Sequence, residues 1–86
     1  MTKAEKSHLS RVAELGCIIC QSPAEIHHPR TGIGMGKKSS HYDAIPLCHR
    51  HHRTGGHGIA LHAGQKTFEA NFGTEGELLE KVRMAL

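Results

Sequence analysis

Along the chain, apolar residues fall into short patches divided by glycine, histidine and charge. From Lys3 onward, Leu9, Val12 and Ala13, with Leu15 beside them, recur at helical spacing among Lys, Glu and Arg, and Gly16 is placed to end the segment. This predicts an amphipathic helix within residues 1–15. The stretch "GCIICQSP", residues 16–23, has tight-turn chemistry, with Ile18 and Ile19 between two thiols and Pro23 closing the loop. Residues 24–29 read as extended. "RTGIGMGKKSS", residues 30–40, holds three glycines and three basic residues, too irregular for an element and suited to a loop against phosphate. "HYDAIPLC" reads as a short strand, and "HRHHRT" as a short helix stopped by Gly55 and Gly56. Near the end, Thr74 and Glu77 have capping-box spacing ahead of Leu78, Leu79 and Val82. "QKTFEANF" and "TEGELLEKVRMAL" therefore predict two closing helices packed on the first. The pattern is α+β in a single domain over residues 1–86: a helix in 1–15, a core in 16–58 and helices in 63–86, with no repeat or linker.

Composition changes this picture in one respect. Hydrophobic residues are 37% and aromatics 3%, with no Trp, one Tyr and two Phe, so the chain has few large side chains with which to offset the entropy of ordering. At 86 residues a staple is expected. Three cysteines cannot all pair with one another, "MTKAEKSHLS" has no apolar signal-peptide core, and no run approaches a membrane span. These features predict a cytoplasmic protein with no membrane attachment, whose thiolates bind metal rather than form disulfides. The formal charge of +3 and the pI of about 9.0 suit a polyanionic partner.

Histidine is the second departure, with nine residues, eight of them from His27 to His62. Cys17 and Cys20 form a Cys-x2-Cys pair, and Cys48 with His51 forms a Cys-x2-His pair after 27 intervening residues. Together they are four soft ligands of the kind tetrahedral zinc selects. A two-residue spacer lets both members of a pair turn toward one ion, and the two pairs would tie together distant parts of a small domain. His52 follows His51 directly and, on a helix, points about 100° away from that zinc. If the "EIHHP" strand lies on that side, His27 and His52 would share a second ion. Adjacent strand residues face opposite sides, so His27 and His28 would do different work: one binding metal, the other standing as a base.

Two segments, "EIHHP" and "DAIPLCHRHH", resemble the HNH endonucleases, whose ββα-metal fold carries a histidine pair on the first strand and another histidine on the helix, often with a zinc-binding cysteine pair on either side. "HYDAIPLC", "HHRTGGHGIALHAGQKTFEANFGTE" and "ELLEKV" extend the likeness to the nuclease domain of the phage recombination enhancement function (Ref) family, described as RecA-dependent HNH nucleases. The resemblance implies a zinc-stabilised ββα-metal core flanked by an N-terminal helix and C-terminal helices. It makes His28 the general base, and His27 and His52 ligands of the catalytic ion. Asp43 stands where HNH proteins usually carry asparagine, either orienting the base or binding metal. His62 is preferred to His57 as a further ligand.

The same resemblance implies a DNA phosphodiesterase of low sequence specificity from a phage or prophage, associated with recombination, with a RecA filament as a further partner in a bacterial host. Structural Zn2+ and catalytic Mg2+ or Mn2+ are the expected cofactors, with Zn2+ also compatible with the second site; no organic cofactor is expected. Arg30, Lys37, Lys38, Arg50 and Arg53 are the candidate phosphate contacts, which would make binding sensitive to salt. The alternative is a noncatalytic zinc-dependent nucleic-acid-binding module, which would need only Cys17, Cys20, Cys48 and His51.

Overall fold

Helix α1, Lys3–Glu14, starts at Thr2. The Thr2 hydroxyl accepts from the Glu5 backbone N–H at 3.1 Å and the Glu5 carboxylate accepts from the Thr2 backbone N–H at 2.8 Å, a reciprocal cap at a chain position where the apolar pattern alone gives no boundary. These positions come from a computed structural model that describes residues 1–29 and 41–86. The expected basic loop, with Arg30, Lys37 and Lys38, lies outside the described residues.

Gly16 ends α1 and turns the chain into the cysteine knuckle. Its φ is +76°, and a Cβ there would stand 2.5 Å from the Gln21 carbonyl oxygen, so glycine is required both by conformation and by space. The knuckle closes through Cys17 N–H to Ser22 O and Gln21 N–H to Cys17 O, both 2.8 Å, and is fastened to the sheet by Ile18 N–H to Pro46 O at 2.9 Å.

Strands β1, Glu25–His27, and β2, Ile45–Leu47, pair antiparallel with Glu25 opposite Leu47 and His27 opposite Ile45. The strand expected over residues 41–48 is shorter because Tyr42 is exposed and residues 41–43 form a single 3-10 turn, whereas Ala44 through Cys48 are all buried. The expected helix at "HRHHRT" is one wide turn, Arg50–Thr54, closed by Gly55 N–H to Arg50 O at 2.9 Å in an i to i+5 bond. A Cβ on Gly55 would meet that same oxygen at 2.4 Å, which confines the position to glycine.

A second 3-10 turn, Leu61–Ala63, leads into α2, Gln65–Phe72, and α3, Glu75–Ala85. Thr74 and Glu77 form the expected reciprocal cap of α3. The final helices do not pack chiefly on α1. That helix lies on both strands and the 41–43 turn, α3 lies on β2, and α2 on the Leu61–Ala63 turn. Val12, Ile45, Leu47, Phe68, Leu78 and Val82 meet in one small core, and Phe68 is its one fully buried aromatic ring. The result is an α+β fold in which the 50–54 turn contributes to two clusters of metal-ligating side chains.

Candidate metal centres

The knuckle and the start of the wide turn bring Cys17, Cys20, Cys48 and His51 together, with their ligand atoms all within 4.8 Å of one another. Ligands held tetrahedrally at ordinary zinc distances stand about 3.5–3.8 Å apart. Cys20 Sγ lies 3.7 Å from Cys48 Sγ, and His51 Nδ1 lies 3.7 Å from Cys17 Sγ and 3.6 Å from Cys20 Sγ. Cys48 Sγ is closer to the ring, 3.1 Å from Nδ1. Cys17, Cys48 and His51 are buried and Cys20 is exposed, so the cluster could hold a zinc ion with its fourth side toward solvent.

Local electrostatics favour the binding forms of two of these ligands. Hydrogen bonds from the Ser22 side chain and backbone lower the Cys20 thiol to about 7, so thiolate is available near neutrality. Burial, with Arg50 nearby, lowers the His51 pKa and keeps the ring neutral. Burial raises the Cys17 thiol instead, a cost that a bound cation would reverse. The edge of the His51 ring packs on Phe72 of α2 with centroids 5.2 Å apart, which fixes the ring plane.

One residue further along the same turn, His52 belongs to a different cluster. Its Nε2 lies 3.2 Å from His27 Nδ1 and 2.9 Å from His62 Nε2. The other nitrogens of His27 and His52 are engaged: His27 Nε2 is 2.6 Å from the Glu75 carboxylate and His52 Nδ1 is 2.5 Å from that of Glu25. Each carboxylate can only accept, so each ring donates its N–H outward and turns a lone pair inward. Burial lowers the His27 pKa despite Glu75, which opposes relieving the convergence with a proton on that ring. Lone pairs facing one another across about 3 Å are what a cation binds, and adjacent imidazole nitrogens on one transition ion stand about 2.9–3.4 Å apart.

Residues 1–85 match the family described as "Protein of unknown function (DUF968)". The chain is a member of that family. No curated protein and no solved structure matches it.

In this DUF968 member the histidine pair divides as strand alternation requires. His27 faces His52 and His62, while the half-buried His28 lies with Nε2 3.1 Å from His41 Nδ1. Burial, and secondarily the charge of His41, lowers the His28 pKa. Asp43 is not brought to His28. Its carboxylate accepts from Arg83 Nη2 at 3.0 Å, and His41, two residues earlier, takes the place beside the ring. His57 joins neither cluster; it lies over Gly64 with Nε2 3.2 Å from Thr67 Oγ1.

The candidate phosphate contacts separate in the same way. Arg53 grips Glu25 through Nε at 2.9 Å and Nη2 at 2.8 Å, a two-point pair that, with His52, holds the Glu25 carboxyl down at about 2. Arg50 is exposed. Among the described residues no helix is long and apolar enough to cross a membrane.

Three residues in these clusters escape a reading by motif. Glu25 shares a strand face with His27, an i, i+2 signal present in the sequence. Glu75 sits on the i, i+3, i+7 stripe with Leu78 and Val82, where an apolar residue is expected, and that misfit is its signal. His41 has no periodic neighbour to mark it.

Proposed function

We propose that this chain is a metal-dependent endonuclease of the HNH type that hydrolyses DNA phosphodiester bonds. The observation that carries the proposal is the convergence of ligand nitrogens of His27, His52 and His62, with the lone pairs of His27 and His52 turned inward by their carboxylate partners, one residue away from a separate histidine, His28. A structural zinc domain requires the first cluster and has no use for the second. The order of two antiparallel strands followed by a helical turn, with His27 on β1 and His52 in the turn, also supports an HNH assignment.

His28 acts as general base. The His28 Nε2 and His41 Nδ1 atoms lie 3.1 Å apart; in the tautomer whose Nε2–H donates to His41, Nδ1 of His28 takes the proton from the attacking water, and burial lowers the His28 pKa toward the neutral, accepting form. His27, His52 and His62 would hold a divalent ion, which would supply Lewis-acid stabilisation of charge on the scissile phosphate. Three imidazoles suit a transition ion such as Zn2+ or Mn2+ better than Mg2+, which prefers oxygen ligands. His27 and His52 are held in place by their carboxylate partners, and His62 borders an open cleft of about 340 Å³ with Leu61, Gln65 and Glu75. Arg50 is the described residue that best suits a phosphate contact, since Arg53 is engaged by Glu25. Low sequence specificity follows from backbone contacts of this kind; partnership with a RecA filament and a recombination role in a phage or prophage setting rest on the resemblance.

The test is cleavage of supercoiled, linear duplex and single-stranded DNA at low salt with Mn2+, Zn2+, Mg2+ or EDTA, with and without RecA filaments. Wild type is expected to cut with a transition ion, and His28→Ala to bind DNA without cutting. Wild type that binds DNA but never cuts would favour the noncatalytic zinc-dependent module.

A further inference from the structure

Glu75 is 2% exposed, on the first turn of α3, far in sequence from both strands. Burying a carboxylate so completely is costly unless its oxygens are satisfied. Here one oxygen meets His27 Nε2 at 2.6 Å, and the other accepts from Gln65 Nε2 at 3.1 Å at the start of α2. A negative charge at a helix N-terminus is favourable, but that benefit is available to an exposed side chain such as Glu77 and does not require burial. The inward turn of Glu75 therefore calls for another explanation.

We propose that Glu75 is a positioning residue for the histidine centre, selecting the tautomer of His27 that leaves Nδ1 open to a metal ion; this rests on reading His27, His52 and His62 as a metal centre. The alternative tautomer carries its proton on Nδ1, 3.2 Å from His52 Nε2. In that state His27 donates to His52, the cluster satisfies itself with an internal hydrogen bond, and two ligand lone pairs are lost. A carboxylate at Nε2 excludes this state because it accepts only the Nε2 proton. It also makes Nδ1 a stronger donor to a cation. Gln65 holds the carboxylate in register, so the two C-terminal helices reach across the domain to set the chemistry of a strand residue.

The experiment uses the full chain carrying its first zinc, as wild type, Glu75→Ala and Glu75→Gln. Long-range 1H–15N spectra of the His27 ring report the tautomer, and titration with further Zn2+ reports the affinity of the second site. Wild type is expected to show Nε2–H. Glu75→Ala is expected to move the proton toward Nδ1 and to weaken the second zinc about 10- to 100-fold, with the first zinc unaffected. Glu75→Gln, whose carbonyl still accepts from Nε2–H, is expected to keep the tautomer and lose only a few-fold in affinity. An unchanged tautomer and second-site affinity in folded Glu75→Ala would overturn the proposal, as would equal loss of both ions. Should Glu75→Ala fail to fold, Glu75→Gln decides: unchanged affinity for the second zinc overturns the proposal. A wild type that takes a single zinc per chain contradicts the metal-centre reading itself, and this proposal falls with it.

Discussion

His51 and His52 are neighbours in sequence and serve two different centres. His51 joins three cysteines in a cluster of four ligand atoms within 4.8 Å of one another, whereas His52 joins two histidines in a cluster of three beside an open cleft. The first has the ligand number and softness that suit structural zinc; the second, with three imidazoles, is one ligand short of that set, as the proposed catalytic site requires. One wide helical turn supplies a ligand to each. The same local geometry thus brings two unlike ligand sets within one turn of chain, sulfur-rich on one side and carboxylate-backed imidazole on the other.

The sharpest way to break this contrast is to remove the staple. Cys48→Ser, or a strong chelator, should unfold the domain, because structural zinc contributes on the order of 10 kcal/mol in small metal-dependent folds and the core here is small. Circular dichroism with zinc quantitation checks this; a folded, zinc-free Cys48→Ser chain would make the cysteine cluster dispensable. His28→Ala should have the opposite profile. We expect both ions and the fold to be retained and DNA cleavage to fall about 10²- to 10⁴-fold, as measured in single-turnover assays against the wild type.

Arg53→Ala separates positioning from DNA contact. Because the guanidinium holds Glu25, its loss should loosen His52 and weaken the second ion several-fold while leaving the salt dependence of DNA binding nearly unchanged, whereas Arg50→Ala should reduce that salt slope by about one phosphate's share. Equal salt slopes for the two variants would remove the distinction.

The smallest effect concerns the helix that carries Glu75. Thr74→Ala should cost about 1 kcal/mol of stability in a zinc-replete thermal melt. The Thr74 backbone N–H and hydroxyl hold the Glu77 carboxyl below its ordinary value of 4.5. A depressed carboxylate stabilises the fold above its unfolded pKa and loses that contribution as pH falls through the folded value. The stability difference between wild type and Glu77→Gln should accordingly be present at pH 7 and shrink in acid; a difference that grows in acid would reverse the sign.

What the sequence disclosed depended on spacing. Cys17 with Cys20, and Cys48 with His51, stand in pairs whose two-residue spacers turn both members toward one point by local geometry, so that only the meeting of the two pairs is left to the fold. His27 and His52 required one further step, strand alternation and helical rotation, and the structure brings them together with His62. Residues whose role depends on distant partners were less legible. The resemblance to HNH proteins marks out Asp43, yet its partner is Arg83 on α3, and nothing local announces that pairing. Arg53 reads as a solvent-facing cation until β1 is folded against the turn. Packing was hardest to foresee: periodicity identified the α1 and α3 faces, but which surface each would meet depended on a two-stranded sheet too short to leave a strong alternating pattern.

The most direct test of the contrast between the two centres is the number of zinc ions bound per chain by wild type, His52→Ala and His51→Ala, measured by native mass spectrometry alongside circular dichroism. We predict two ions for folded wild type and one for folded His52→Ala, whereas His51→Ala loses the structural ion and its fold. A single ion in wild type, held as well by His52→Ala, would contradict the existence of a second metal centre.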